Sequence, residues 1–195
     1  MDREAVMNTF FTALNTYHAL EDETRRAFEK LVRIREIPAG TKYLSADEVP
    51  VFVSYIYSGL FSYYFQYENG DTVIKKFFPE NTFMASTSAL IQHDKSRYAI
   101  DALEDSIVVE YSFTEFKHLL QKHHDLALFW INYLGRHWVV EKEHLEITHK
   151  YLSAKERYQD FLVASPTLAG RLQLQQIAAF LGITPTQLSR IRKSM

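Results

Sequence analysis

Apolar positions recur along the chain with two different periods, and each period predicts a different kind of element. Over residues 1–35 they recur at three- and four-residue steps, as from Phe10 to Leu14, which predicts helix. Over residues 37–112 the period changes to two, and the apolar residues are largely β-branched or aromatic. The alternating runs predict strands at 51–59, 61–67, 72–78, 98–103 and 106–112.

The turn Asn69-Gly70 separates two of these runs. Both residues tolerate positive φ, so the pair predicts a β-hairpin between 61–67 and 72–78. Many short strands with turn residues between them are typical of a barrel or a sandwich. The sequence therefore predicts an all-β unit that follows an N-terminal helical segment.

A long helix is predicted at residues 125–152, after a shorter one that begins at a Ser112–Glu115 capping box. One stripe of side chains follows an unbroken 4,3,4,3 spacing: Leu126, Trp130, Tyr133, His137, Val140, His144, Ile147 and Tyr151. A second lies beside it: Ile131, Leu134, Trp138, Leu145, Thr148 and Leu152. Two adjacent stripes indicate a helix that packs on its own domain and on something else. Either it forms half of a coiled-coil dimer, or it is buried between two parts of one chain.

The C-terminal segment has the layout of a helix-turn-helix. A Ser153–Glu156 capping box begins a new helix after the long one. Farther on, Ala178 allows two helices to cross closely, and Gly182 takes the positive φ that ends the first of them. Thr184 caps the second helix, whose first turn contains Pro185 and Gln187. The predicted shared core is Ile177, Leu181, Ile183, Leu188 and Ile191.

Charge is distributed unevenly along the chain. Residues 161–195 carry four cationic side chains and no acidic one, although the whole chain has a net charge of −2. A basic end on an acidic body suggests contact with a polyanion, and a solvated tail is the alternative. With 47% apolar and 24% charged residues the composition is that of a folded globular protein.

The composition and the N-terminus also predict where the protein resides. The chain has no Cys, which excludes disulfides, thiolate metal sites and a Cys nucleophile, and suits a cytoplasmic protein. No run of 18 apolar residues occurs, so neither a transmembrane helix nor a membrane partner is expected. The acidic N-terminus lacks the apolar stretch of a secretory signal.

A helix-turn-helix places the N-terminal, outward side chains of its second helix in the DNA major groove. Gln pairs bidentately with adenine and Arg with guanine, while Thr and Ser bond base edges or phosphates. The last two cations of the chain are expected on the phosphate backbone. The predicted DNA-binding residues are Thr184, Thr186, Gln187, Ser189, Arg190, Arg192 and Lys193. An ordinary helical hairpin is the alternative.

This order of elements resembles the Crp/Fnr family of bacterial transcription regulators. The stretch from Glu156 to Lys193 is the most specific part, and it looks most like the short members common in Bacteroidetes. The resemblance implies an α+β chain with an N-terminal double-stranded β-helix (cupin-like, cyclic-nucleotide-binding-like) barrel over 1–124 and a long dimerisation helix over 125–152. A C-terminal all-α helix-turn-helix domain then covers 153–195.

The resemblance also implies the partners. They would be double-stranded DNA with a pseudo-palindromic operator, a second copy of the chain in a homodimer, and RNA polymerase if the protein activates transcription. The half-sites would lie roughly 34 Å apart, about one DNA turn. An effector would occupy the barrel.

The sequence departs from the family at the effector cassette. Cyclic-nucleotide binders carry Phe-Gly-Glu and then Arg-Ser or Arg-Thr, whereas this chain has Phe83-Met84-Ala85 and Arg97-Tyr98. The missing Glu and the bulk of Met84 predict weak or no cAMP binding, so these five residues are candidates for a different effector site, or for none. With no Cys, an iron–sulfur sensor is excluded. Pro185 and Thr186 stand where better-known members have Arg and Glu, so the preferred bases should differ.

No catalytic constellation, cofactor or metal site is predicted. The predicted strands lack His, and His137 and His144 lie on one helix stripe, where an interface role is expected. We therefore expect a transcription regulator that is not an enzyme. The alternative is a cupin-fold small-molecule-binding protein or metal enzyme whose C-terminal helices serve only for dimerisation. A regulator that senses nothing is a third option.

Overall fold

The computed structural model describes residues 2–140 and 151–195. The helices are α1 (Arg3–Asn15), α2 (Asp22–Glu29), α3 (Thr87–Gln92), α4 (Phe113–Leu120), α5 (His124–Leu134), α6 (Ala154–Ala164), α7 (Pro166–Ala169), α8 (Leu174–Leu181) and α9 (Pro185–Lys193). The strands are β1 (Arg33–Ile37), β2 (Lys42–Leu44), β3 (Phe52–Ser58), β4 (Phe61–Gln66), β5 (Thr72–Phe78), β6 (Phe83–Met84), β7 (Ala99–Ala102) and β8 (Ser106–Ser112). The predicted positions 141–150 of the long helix, with His144, lie outside the described residues.

The strands form two four-stranded antiparallel sheets, which we call the β-roll. Their orders are β1-β8-β3-β6 and β2-β7-β4-β5. Both sheets contribute side chains to one apolar cluster between them, including Ile56 and Val108 from the first and Phe61 and Ile100 from the second. The predicted α+β class with a double-stranded β-helix is confirmed. All five strands predicted from the alternating runs are present.

The hairpin between β4 and β5 turns where the sequence predicts it. The Tyr67 N–H donates to the Asp71 carbonyl at 2.8 Å, and Gly70 has φ of 88°. Tyr63 of β4 pairs with Lys76 and the next residue, Tyr64, pairs with Ile74, so Lys75 is the extra residue of a bulge in β5. Such a bulge increases the local twist of a strand pair.

The N-terminal helical prediction is correct for α1 and α2 but wrong at its end. The helices are separated by a turn at residues 16–21, where the Leu20 N–H donates to Asn15 Oδ1 at 3.2 Å. Ile34, which continues the helical spacing, lies in β1 and pairs with Val109 of β8. The apolar period alone could not separate a helix end from the start of a half-buried strand.

The outer face of the first sheet is covered by α1, α2, α4 and α5. Phe10 of α1, Phe28 of α2 and Phe129 of α5 are fully buried there against Tyr111 and other rings of the sheet. This aromatic cluster fixes the start of the long helix on the β-roll. Burial of a large aromatic side chain stabilises a fold by about 2–3 kcal/mol.

The long helix departs from regular α geometry after Leu134. Residues Gly135–Val140 form a π-helical segment, whose turn is wider than that of an α-helix. Tyr133 and His137 of the predicted first stripe pack against Tyr17 of the same chain, but Val140 of that stripe is 64% exposed. The 4,3,4,3 spacing corresponds to 3.5 residues per turn, whereas a π-helical segment has more residues per turn, so Val140 does not continue the stripe. Among residues 2–140 and 151–195, no helix is both long and apolar enough to cross a membrane.

Candidate nucleic-acid interface

Helices α8 and α9 form the predicted helix-turn-helix. Gly182 ends α8 in the left-handed region with φ of 67°, and its N–H donates to the Ala178 carbonyl. The next N–H, that of Ile183, donates to the same carbonyl at 3.0 Å. Ala178 is fully buried where the helices meet. The predicted core residues Ile177, Leu181 and Leu188 are buried, and Ile183 and Ile191 pack against them.

The second helix begins at the predicted cap. The Gln187 N–H donates to Thr184 Oγ1 at 3.1 Å, and the Thr184 N–H donates to Gln187 Oε1 at 2.9 Å. Pro185 occupies the first turn, where its missing N–H leaves no partner unsatisfied. The capping box at Ser153 and Glu156, at the start of α6, is also complete.

The outward face of α9 is polar and basic, as the sequence predicts. Thr186, Gln187 and Arg190 are exposed, and Ser189 is partly exposed. Leu188 between them is fully buried. The helix therefore presents one row of hydrogen-bonding side chains to solvent along its N-terminal half, the part that enters a major groove in proteins of this architecture.

Two predicted DNA-binding residues, the base reader Gln187 and the phosphate contact Arg192, already make contacts within the chain. The side-chain carbonyl of Gln187 is occupied by the capping box, so a bidentate contact with adenine requires the box to open. Arg192 Nε donates to the Tyr158 hydroxyl at 2.9 Å, and its guanidinium lies 5.5 Å from the centre of that ring. Arg190 and Lys193 are exposed. The predicted roles of all four on DNA stay predictions.

The remaining cation of the basic segment, Arg171, faces the β-roll. Arg171 donates from Nη1 and Nη2 to the two carboxylate oxygens of Glu80 at 2.9 and 2.8 Å, and from Nε and Nη2 to Glu104 at 2.9 and 2.6 Å. The hydrogen bond from Arg171 is the main cause that lowers the pKa of Glu80. We call this group the Arg171 clamp. Of the four cations behind the polyanion prediction, this one is neutralised by the chain itself.

An apolar contact accompanies the Arg171 clamp. Leu60, Ile74 and Phe77 of the β-roll belong to the same buried cluster as the helix-turn-helix core. The rings of Phe77 and Phe180 lie 5.4 Å apart. Strand β5 and helix α8 are therefore packed together. Because α9 packs on α8, this contact fixes the position of α9 relative to the β-roll.

The first half of the candidate effector cassette is filled by side chains. Phe83 is buried in the aromatic cluster under α5, 5.3 Å from the ring centres of Tyr55 and Tyr133. Met84 is fully buried between the two sheets. Ala85 follows at the border of two small cavities, of about 20 and 240 Å³. Drug-sized ligand sites typically enclose about 300–1,000 Å³.

A closed polar network occupies the interior beside Met84. The Tyr63 hydroxyl lies 2.9 Å from Ser86 Oγ, which lies 2.8 Å from Ser96 Oγ. Ser96 Oγ donates in turn to the Tyr98 carbonyl at 2.7 Å. Burial raises the pKa of the Tyr63 phenol. These buried polar groups satisfy one another without a ligand.

The structure does not bring the second half of the cassette to the same cavities. Arg97 is exposed, and Arg97 and Tyr98 line a groove between the β4–β5 hairpin and the end of α8. Within the described residues, no group of three or more His, Asp or Glu side chains that could hold a metal is present.

Some residues at these sites carry no local signal in the sequence. Arg171 is separated from Glu80 by 91 residues, so only the fold reveals their contact. Arg157 donates from Nη1 to the Leu152 carbonyl and from Nη2 to the Leu181 carbonyl, at 2.8 and 3.1 Å. It thereby satisfies the C-terminal end of α8. Its position one residue after the Ser153–Glu156 box gives no hint of this role.

Solved structures with this arrangement were found among bacterial regulators. FixK2 from Bradyrhizobium japonicum has a TM-score of 0.71 at 18% identity, and the match covers 84% of each chain. The c-di-GMP responsive global regulator CLP from Xanthomonas campestris has a TM-score of 0.69 at 15% identity, with 89% of this chain and 91% of that one covered. A chain from Eubacterium rectale described as a Crp/Fnr-family regulator has a TM-score of 0.64 at 14% identity, over 90% and 83% of the two chains.

The chain has the Crp/Fnr-type fold. No protein-family model matches it, and neither does any curated protein. Since the identities to the solved structures are below 20%, they show the Crp/Fnr-type fold alone, and function has to be argued from this chain's residues.

Proposed function

We propose that the protein is a transcription regulator that binds double-stranded DNA in a sequence-specific way and is not an enzyme. The single observation that carries the proposal is the outward face of α9, where Thr186, Gln187, Ser189 and Arg190 follow a complete helix cap. A capped helix with exposed hydrogen-bonding side chains on its N-terminal half has the side-chain chemistry that major-groove recognition requires.

Each predicted DNA-binding residue of α9 and its cap has a role in this proposal. Arg190 and Gln187 contact base edges, Thr186 and Ser189 contact bases or phosphates, and Thr184 positions the helix through its cap. Lys193 and Arg192 contact phosphates and add affinity that falls with salt. Residues 153–195 act as the DNA-binding unit, residues 125–152 as the dimerisation helix, and residues 1–124 as the sensor unit.

We propose that the functional form is a homodimer joined along the long helix. Side chains of the predicted second stripe support this, because Ile131 is 62% exposed and Trp138 is 43% exposed on α5 and the π-helical segment. Apolar side chains of this size on one helix face are typical of a protein interface. Two copies would present two α9 helices to a pseudo-palindromic operator.

We infer that cAMP is not the effector. Met84 and the network of Tyr63, Ser86 and Ser96 occupy the interior position. The adjoining cavity, which Ser86 lines, has a volume of about 240 Å³, below the range of about 300–1,000 Å³ that is typical of drug-sized ligand sites. An effector of other chemistry, and a contact with RNA polymerase in the case of an activator, remain part of the proposal. The absence of cAMP binding is tested by calorimetry with the purified protein.

The main experiment selects bound duplexes from a random DNA pool with the purified full chain at two salt concentrations. A two-fold-symmetric motif is expected, and the variant Arg190→Ala should recover a motif altered at one position of each half-site. Variant Lys95→Ala, which removes an exposed cation between α3 and β7, should recover the wild-type motif. Salt-sensitive binding without any enriched motif would contradict the proposed function and favour a small-molecule-binding protein of the cupin type.

A further inference from the structure

A groove of about 800 Å³ lies between the β-roll and the helix-turn-helix. One wall is the β4–β5 hairpin with the segment before β7, and the other is the C-terminal end of α8 with the turn at Gly182. We call it the interdomain groove. Its size falls within the range of about 300–1,000 Å³ found for small-molecule sites.

Three cationic side chains from three separate parts of the chain line the interdomain groove. They are Lys75 of β5, Arg97 before β7 and Arg157 of α6. Among the described residues that line it, none is acidic, although the whole chain has a net charge of −2. A cleft lined by one sign of charge concentrates ions of the opposite sign.

These cations are not equally available to a ligand. Arg157 already donates to two main-chain carbonyls, although its Nε is buried and has no hydrogen-bond partner. Lys75 Nζ lies over the rings of Tyr98 and Tyr63, at 4.8 and 5.2 Å from their centres. Arg97 is exposed at the rim. Lys75 and Arg97 are therefore available to contact a bound anion directly, and Arg157 adds positive charge nearby.

Lys75 is an exposed residue, and no carboxylate is present among the described residues that line the groove with it. Partial desolvation, followed by repulsion from Lys76, lowers the pKa of Lys75. Arg171 at the other side of the same interface has two carboxylate partners, whereas the residues that line the groove offer Lys75 only aromatic faces. A cation in such a position gains from an anion that enters the groove.

Flat rings complete the walls. Phe65, Tyr98 and Phe180 line the groove together with Tyr67, whose side chain is 52% exposed. Aromatic side chains accept a planar ring by stacked or edge-to-face packing. The groove thus combines cations for a charged group with apolar rings for a planar one.

We propose that the interdomain groove binds a small organic anion that carries two or three negative charges and a planar ring, as a linear nucleoside phosphate does. The phosphate groups contact Lys75 and Arg97, and the ring lies against Tyr98 and Phe180. This site lies outside the space between the sheets, where Met84 and the Tyr63 network exclude a ligand. A cyclic phosphodiester carries only one negative charge and fits the pair of cations less well.

Such a ligand would touch both parts of the chain. Phe180, Leu181 and Gly182 of the groove belong to the end of α8, directly before the turn that leads into α9. Arg157 bonds the Leu181 carbonyl at this point. A bound anion would therefore stabilise the arrangement of α9 on the β-roll. This regulatory consequence rests on the proposed DNA-binding function, whereas binding in the groove does not.

The test is calorimetric titration of the full chain with ADP, pyrophosphate and adenosine at constant ionic strength, without DNA. ADP should bind once per chain, pyrophosphate about tenfold more weakly because it lacks the ring, and adenosine not measurably. Lys75→Met and Arg97→Gln should each weaken ADP binding about tenfold, since each removes one charge-assisted contact. Lys95→Gln is the matched control, because it removes an exposed charge two residues from Arg97 without lining the groove.

Several outcomes would overturn the proposal. These are the absence of saturable ADP binding to the folded wild type, or an equal effect of Lys95→Gln and Arg97→Gln. Equal affinities for ADP and pyrophosphate would refute the ring contact. A separate competition experiment includes a random-sequence duplex. If the duplex displaces ADP, and if Arg97→Gln weakens the binding of ADP and of the duplex alike, the groove binds the DNA backbone instead. Since the titration contains no DNA, failure of the proposed function leaves its result unaffected.

Discussion

Arg171 holds both carboxylate oxygens of Glu80 at 2.8 and 2.9 Å, across 91 residues of sequence. The same guanidinium also binds Glu104 of the β-roll. A fork-shaped donor satisfied by two carboxylates gives orientation as well as energy. The Arg171 clamp and the Phe77–Phe180 contact together hold the helix-turn-helix in its position on the β-roll.

Variant Arg171→Met should lower the free energy of unfolding by about 1–2 kcal/mol, because it leaves two partly buried carboxylates without their cation. Urea denaturation measures this loss. The exposed Arg26 of α2 provides the control, and Arg26→Met should change the free energy of unfolding by less than about 0.5 kcal/mol. In a double-mutant cycle, Glu80→Gln should cost less in the Arg171→Met background than in the wild type. Strict additivity would show that the ion pair contributes nothing.

The stability provided by the Arg171 clamp should depend on pH. The pKa of Glu80 in the folded protein lies below its usual value of 4.5, chiefly because of the hydrogen bond from Arg171. A depressed folded pKa gives stability that is present above the unfolded pKa and lost as the pH falls through the folded pKa. The difference in unfolding free energy between wild type and Arg171→Met should therefore be constant near neutral pH and shrink as the pH falls below the usual pKa of 4.5 and through the lower pKa of the folded state. A difference that grows on acidification would refute this assignment.

Two variants of α9 should separate base reading from phosphate contact. Arg190→Ala should weaken binding to the selected operator by about 1–3 kcal/mol and leave random-sequence binding nearly unchanged. Lys193→Ala should weaken both by similar factors and reduce the salt slope by about one. Binding isotherms at several salt concentrations on both duplexes measure these effects. An equal loss on the two duplexes for Arg190→Ala would make Arg190 a phosphate contact.

The Thr184 cap should be worth about 1 kcal/mol to the fold, because its hydroxyl satisfies the otherwise free Gln187 N–H. Thr184→Ala should show this loss in urea denaturation. Thr184→Ser keeps the hydroxyl and should retain most of the stability. If Ala and Ser were equally destabilising, the loss would come from the missing methyl group and not from the hydrogen bond.

The helix-turn-helix could be predicted from sequence because its determinants are local. Gly182, Thr184 and Gln187 lie within six residues, and each follows a rule that depends only on its neighbours in the chain. The hairpin at Gly70 was predictable for the same reason. The start of β1 at Arg33 was not, because Ile34 continues the helical spacing of the preceding segment.

Features that depend on distant contacts escaped sequence reasoning. The Arg171 clamp needs residues 80, 104 and 171 to converge, and no local pattern marks that. The degenerate cassette could be recognised from Met84 and Ala85, but not the network of Tyr63 and Ser86 that fills its place. Nor could the sequence show that Arg97 lines the interdomain groove. The positions of these side chains depend on tertiary packing, which no local pattern records.

Close packing at Gly59, in the turn beside the Arg171 clamp, can be tested by comparison with Gly70 in the β4–β5 hairpin. Both have positive φ, at 104° and 88°, so Ala is strained at either position. A Cβ at Gly70 would meet open space, whereas at Gly59 it would lie 2.8 Å from the Cα of Ser106. Gly70→Ala should therefore cost about 1 kcal/mol, and Gly59→Ala about 3 kcal/mol or more.

The Gly59 substitution should also affect the Arg171 clamp, because the Gly59 N–H donates to Glu80 Oε1 at 3.0 Å. A backbone shift that relieves the clash with Ser106 would move this donor and loosen Glu80. The additional loss on Arg171→Met should thus be smaller in the Gly59→Ala background than in the Gly70→Ala background, as measured by urea denaturation. Equal losses in the two backgrounds would mean that the turn and the Arg171 clamp are independent.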